Sequence, residues 1–386
     1  MKITDILTAS VKLEGAISNA VVSFDDHDVS LVAVVSDVVR NGKPVTGIGF
    51  NSIGRYAQRG ILLDRIRPRV LAAPPESLLT GDRLDPAKVH AAAMKNEKPG
   101  GHGDRASAVG ALELAVWDLN AKLNDRPAYA EIAQAAGRPV EVTAAPVYAA
   151  GGYYYPPGAG KTLKDELQGY RDLGFDAFKM KVGGASEAED LKRIEQALEL
   201  AGTGARLAVD ANGRFSLPEG LAFGRRIEGY GLRWYEEIGD PLDYATNQAM
   251  AHHYAGAIAT GENLFSLQDV RNLLNYGGMR PGRDIFQMDA GLSYGLTEYL
   301  KIIDLLEARG FDRAQVFPHG GHLINLHIVA GLSLGGCEAY PGVFRPFGGY
   351  SDTCSVTDGT VRPSDAPGFG LEEKPDLAAA IARLVD

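Results

Sequence analysis

Cysteine is scarce in this sequence: among 386 residues there are only Cys337 and Cys354. Two thiols without metal-site spacing exclude a disulfide framework and a thiolate metal site. They suit a reducing compartment, so a cytoplasmic location is expected. No apolar run reaches the length of a bilayer span. Asp5 and Lys12 interrupt the start of the chain, so no signal peptide is expected either. Positive charge is the minority sign, with 39 Lys and Arg against 49 Asp and Glu, a net charge of −10 and a pI near 5.4. That balance argues against a nucleic-acid or anionic-membrane partner. Gly320-Gly321 lacks the pattern of a phosphate-binding loop, no Gly-x-Ser-x-Gly nucleophile elbow is present, and no short repeat or low-complexity linker interrupts the chain. The remainder is ordinary globular composition, 45% hydrophobic and 23% charged. The length suits a large barrel plus one more domain.

The most informative stretch is 177–262. Short apolar runs end in charged groups: Ala177-Phe-Lys-Met-Lys-Val-Gly183, Arg206-Leu-Ala-Val-Asp-Ala-Asn212, Arg233-Trp-Tyr-Glu-Glu237 and Ala257-Ile-Ala-Thr-Gly-Glu262. Asp210 to Glu236 and Glu236 to Glu262 are each 26 residues apart, and Lys181 precedes Asp210 by 29. A strand with its crossover helix takes roughly 25–30 residues, so each unit delivers one such group. The series continues to Asp289 and His319, at steps of 27 and 30. In a closed parallel barrel these ends converge on one face, where active sites sit.

The three carboxylates form an all-oxygen set suited to Mg²⁺, with Mn²⁺ as an alternative. Close carboxylates repel unless a cation neutralises them, which makes three in register poor candidates for ordinary surface acids. Lys179 and Lys181 lie two apart on a strand and point the same way. If both point inward, each lowers the other's proton affinity, and one can serve as a base. Asp289 could orient His319 by accepting from one ring nitrogen; His322 is a weaker competitor. Either Glu236 or Glu237 could be the second carboxylate.

Around this core, residues 1–60 read as antiparallel strands with a turn at Arg40-Asn-Gly-Lys-Pro44. Residues 61–95 look helical, and helical spacing returns from Ala108 to Leu123. Residues 127–142 connect to a first barrel strand at Ala145–Ala150. Capping boxes open several helices: Thr162 with Asp165, Ser186 with Glu189, Ser216 with Glu219, and Ser266 with Asp269. The expected domains are an α+β capping domain over 1–130, a barrel over 131–344, and a segment over 345–386 that returns to the first domain.

Lys179-Met-Lys181, Val209-Asp-Ala-Asn212, Trp234-Tyr-Glu-Glu237, Thr260-Gly-Glu262 and Pro318-His319 resemble the signature of the enolase superfamily, mandelate racemase subgroup. Phe50-Asn-Ser-Ile-Gly-Arg-Tyr56, Asn96-Glu-Lys-Pro-Gly-Gly-His-Gly103, Tyr148-Ala-Ala-Gly-Gly-Tyr-Tyr-Tyr155 and Phe317-Pro-His-Gly-Gly-His322 extend the resemblance to the D-tartrate dehydratases within it. The implied fold is α/β, a modified (β/α)₇β TIM barrel with an α+β capping domain. The implied reaction is elimination of water from an acid sugar. Asp210, Glu236 and Glu262 would hold Mg²⁺, and Lys181 would take the α-proton. Lys179 would help stabilise the enediolate, and His319, paired with Asp289, would protonate the departing hydroxyl. Asn51 and Lys98 resemble contacts to a substrate carboxylate, and Glu338 a hydrogen-bond donor to one. The implied partner is a small hydroxy-dicarboxylate, and the subgroup often forms homo-oligomers, dimers or octamers. A racemase or epimerase uses the same two-sided proton chemistry and stands as the alternative. A catalytically silent acid-binding barrel is disfavoured by the complete set of Lys, His and carboxylates.

Overall fold

The computed structural model describes residues 1–15, 17–140, 144–155 and 162–385. The end of the connecting segment, residues 141–143, and Pro156 of the tyrosine run lie outside the described residues.

The N-terminal part is a three-stranded antiparallel sheet of Ile3–Lys12, Asp28–Arg40 and Lys43–Phe50. Asn41 and Gly42 both take positive φ in the expected turn, as a tight hairpin requires. The first of these strands lies within the run expected to be antiparallel strands, and only Ile6 in it is fully buried. The helix Asp104–Leu123 crosses the sheet and is buried on nearly every side. It approaches the strand Lys43–Phe50 so closely that a Cβ on Gly49 would lie 2.6 Å from the Ala115 amide nitrogen. Its other face meets the barrel, where a Cβ on Gly110 would lie 2.9 Å from the Gly291 carbonyl oxygen. This helix therefore serves two cores, which explains its lack of a polar face.

The second part is built of parallel strands separated by helices. The strands Ala145–Gly151, Phe178–Lys181, Leu207–Asp210, Tyr235–Glu236, Ile258–Thr260 and Ile285–Phe286 pair in chain order. Phe286 bridges in parallel to Val316, and the last strand Cys337–Ala339 pairs in parallel with the first. This is the (β/α)₇β order. Tyr148, Trp234 and Phe317 pack against one another in the barrel directly beneath Lys179 and Glu236, with the Arg233 guanidinium 4.8 Å from the Trp234 ring.

Of the four expected capping boxes, one forms in full and three keep only the hydroxyl half. Thr162, Ser186 and Ser266 accept the amides of Asp165, Glu189 and Asp269, and Ser216 and Glu219 form the reciprocal pair. The helix Glu187–Ala201 ends at Gly202 in the left-handed conformation. The final helix Pro375–Val385 packs on the N-terminal sheet, and the hairpin Val356–Val361 adds to the first barrel strand. Among the described residues no helix is long and apolar enough to cross a membrane.

Candidate active site

The ends of the barrel strands bring together the residues whose spacing pointed to them. Oxygens of Asp210, Glu236 and Glu262 all lie within 4.8 Å of one another. The choice between Glu236 and Glu237 follows from the backbone. Glu237 takes φ 37°, which ends the strand and turns its carboxylate aside to accept from Asn263 Nδ2 at 2.8 Å. Glu236 stays on the inward face, between Lys179 Nζ at 2.7 Å and Trp234 Nε1 at 2.8 Å.

Burial and the charge of Asp210 push the Glu236 carboxyl up to about 8. That is the cost of crowding acids in a dry site, and a divalent cation relieves it. The donors are hard oxygens throughout, so the set fits Mg²⁺.

Both lysines point inward, as their alternation requires, but their charge state differs from expectation. Burial, the largest influence, favours the neutral amine at Lys181, but Asp210 at 2.6 Å together with Glu262 and Glu236 outweighs burial and Lys179 and raises its pKa. At Lys179, burial is outweighed by Glu236 and Glu338, each at 2.7 Å. Mutual repulsion of the two lysines, expected to lower their proton affinity, is present but smaller than the pull of the carboxylates facing them.

His319 Nδ1 lies 3.4 Å from Asp289 Oδ2, and its Nε2 faces Tyr340 Oη at 3.1 Å and Glu262 at 3.7 Å. Burial alone would lower its pKa; Glu262, the Asp289 hydrogen bond and Glu338 together raise it to about 9. His322 is committed elsewhere. Its Nδ1 accepts the Asn325 amide at the start of the helix Leu323–Leu332, and its Nε2 meets Ser52 Oγ at 3.1 Å. Burial holds it near 4 and therefore neutral. Between them Gly320 takes φ 97°, where a Cβ would collide with Ser52, Asp289 and His322.

Glu338 departs from its expected role as a hydrogen-bond donor. Burial opposes its ionisation, but Lys179 and His319 hold its carboxyl down at about 2. It accepts from Gly320 N at 2.9 Å and Tyr340 Oη at 3.0 Å.

Lys181 and His319 open into one cavity of about 390 Å³, together with Asn19, Arg55, Tyr153, Glu262, Asn263 and Tyr340. Asn51 does not line it. Its Oδ1 accepts Ser30 N at 2.6 Å and its Nδ2 donates to the carbonyls of Ser52 and Arg55, so it shapes the loop. Lys98 lines a neighbouring cavity that shares Leu242, Asn263 and Phe265 with the first. Arg55 and Tyr340 were not singled out in the sequence. Tyr340 stands two residues beyond Glu338, the spacing that gives a shared strand face; Arg55 lies inside the run Phe50–Tyr56.

The sequence pattern of the family described as "Enolase C-terminal domain-like" matches residues 162–377. An arabinonate dehydratase of Saccharolobus solfataricus is 29% identical over 237 residues, 61% of this chain and 61% of the relative. An L-talarate/galactarate dehydratase of Salmonella typhimurium is 27% identical over 341 residues, 88% of this chain and 80% of the relative. A racemase from Streptomyces coelicolor, solved with bound magnesium, superposes with a TM-score of 0.76 at 23% identity, over 99% of this chain and 98% of that one.

Proposed function

The chain belongs to the enolase superfamily, and from that premise we propose that it is a Mg²⁺-dependent dehydratase of acid sugars, converting D-tartrate to oxaloacetate and water. The observation that carries this reading is the common cavity of Lys181 and the Asp289-linked His319 beside three convergent carboxylates. The dehydratase names of the two sequence relatives support it.

Asp210, Glu236 and Glu262 would hold Mg²⁺, which would supply fixed positive charge at the substrate carboxylate. Lys181 then accepts the α-proton as the C–H bond breaks. The electron pair spreads onto the adjacent carboxylate, opposite the Lys179 ammonium. His319, protonated and oriented by Asp289, delivers its proton to the β-hydroxyl as the C–O bond breaks. Water leaves, and the enol tautomerises to the 2-keto acid. The two groups reach the cavity from different strand ends, Lys181 from Phe178–Lys181 and His319 from beyond the Val316 bridge.

A panel of acid sugars incubated with Mg²⁺ in deuterated solvent tests the reading, with 2-keto acid and α-deuterium both measured. D-Tartrate is expected to yield oxaloacetate, with its stereoisomers much poorer, and Lys181→Ala is expected to abolish α-exchange. Interconversion of stereoisomers without keto acid would sink the dehydratase and leave the epimerase.

A further inference from the structure

Arg55 is unusual among the cavity residues because it brings a fixed cation with bonding capacity to spare. Its Nη2 donates to Asn263 Oδ1 at 2.9 Å, and its guanidinium lies 4.8 Å from the centre of the Phe265 ring. Its Nε is buried and has no partner among the described residues. No carboxylate among the described residues pairs with it. Asn263 bridges it to Glu237, donating its amide nitrogen to that carboxylate at 2.8 Å and accepting from Arg55 through its oxygen. Asp240, which also lines the cavity, accepts the Leu242 amide instead.

The loop that carries Arg55 is held at several points. Asn51 donates to the Arg55 carbonyl at 3.0 Å, and Ser52 Oγ meets His322 Nε2 at 3.1 Å. The preceding residue, Gly54, overlies the proposed acid: a Cβ there would lie 3.8 Å from His319 Cε1. A planar guanidinium fixed on a ring and with an unused N–H matches a carboxylate, which accepts two parallel hydrogen bonds. A hydroxymethyl group offers no such charge.

We propose that Arg55 receives the second carboxylate of the substrate, so that the site selects hydroxy-diacids over monoacids of equal length. The inference builds on the dehydratase reading for the reacting end of the ligand and extends it to the other end. Lys98 lines the neighbouring cavity and not the one that holds Lys181 and His319.

The test compares two four-carbon ligands: D-tartrate, and the trihydroxybutanoate with the same hydroxyl configuration but a hydroxymethyl group in place of one carboxylate. Dissociation constants are measured by calorimetry on the Mg²⁺-loaded protein, for wild type, Arg55→Met and Arg55→Lys, with thermal stability alongside. Loss of a charged hydrogen-bonded contact is worth about 10–100-fold in binding. Wild type should therefore prefer the diacid by that order. Arg55→Met should bring the ratio close to one, and Arg55→Lys should keep part of it. An unchanged ratio in Arg55→Met, even with weaker binding of both ligands and lower stability, overturns the inference and leaves Arg55 a purely structural residue. Failure of wild type to bind the diacid also overturns it. If wild type binds the diacid without making keto acid, the dehydratase reading falls, while the ratios still decide the role of Arg55.

Discussion

At the scale of single residues, charge state decides what the cavity can do. His319 is held protonated to about 9, above its ordinary value of 6.5. Its protonation therefore favours the folded state fully below pH 6.5, and that contribution is lost as pH rises through 9. The proposed acid must carry its proton, so turnover should fall on the alkaline side. Asp289→Asn removes one of the raising influences, and the alkaline limb of kcat against pH should shift to lower pH. An imidazole titration by NMR would report the same direction. A limb that stays where it was in Asp289→Asn would mean that another group sets it. His319→Asn should retain α-proton exchange through Lys181 while losing keto-acid formation, which separates the two proton transfers.

At the scale of elements, the working geometry depends on contacts between the two parts of the chain. Glu113, buried in the helix Asp104–Leu123, accepts the amides of Leu296 at 2.7 Å and Thr297 at 2.9 Å, together with the Thr297 hydroxyl. It thereby caps the barrel helix Leu296–Ala308 from outside the barrel. A side chain from another element satisfies amides that a helix start otherwise leaves unpaired. Glu113→Ala should cost about 1–3 kcal/mol, the penalty for buried donors left without a partner. Urea unfolding measures this, and an unchanged midpoint would show that water or another group replaces Glu113. The sequence offered no local sign of this cap, because donor and acceptor are about 183 positions apart. The caps inside single helices, such as Ser216 with Glu219, were legible since three residues separate the partners.

At the scale of the whole molecule, the carboxylate cluster should link folding to metal. The cluster is crowded and mostly buried, so a divalent ion binds the folded chain far better than the unfolded one. At a hundredfold excess over Kd such binding adds about 2.7 kcal/mol. Chelation of Mg²⁺ should therefore lower Tm, and added Mg²⁺ should restore it. Glu236→Gln should lose that response while keeping the fold, since changes at this barrel face affect function more than stability. A Tm insensitive to Mg²⁺ in wild type would remove the metal assignment.

The sequence by itself determined the barrel and the residues that meet at its mouth. The period of a strand and crossover helix is a local length, so Lys181, Asp210, Glu236, Glu262, Asp289 and His319 could be read along the chain. Only the tertiary structure decided how those groups are charged and which neighbours share them. Proton affinity depends on distances across the fold: Asp210, 2.6 Å from Lys181, raises that of the amine, and Lys179, 2.7 Å from Glu338, lowers that of the carboxylate. The same holds for the capping loop. Asn51, Arg55 and Lys98 differ little as sequence signals. Arg55 reaches the cavity of Lys181 and His319 from the loop Phe50–Tyr56, pinned to His322, whereas Lys98 lines the adjoining cavity that shares Leu242, Asn263 and Phe265.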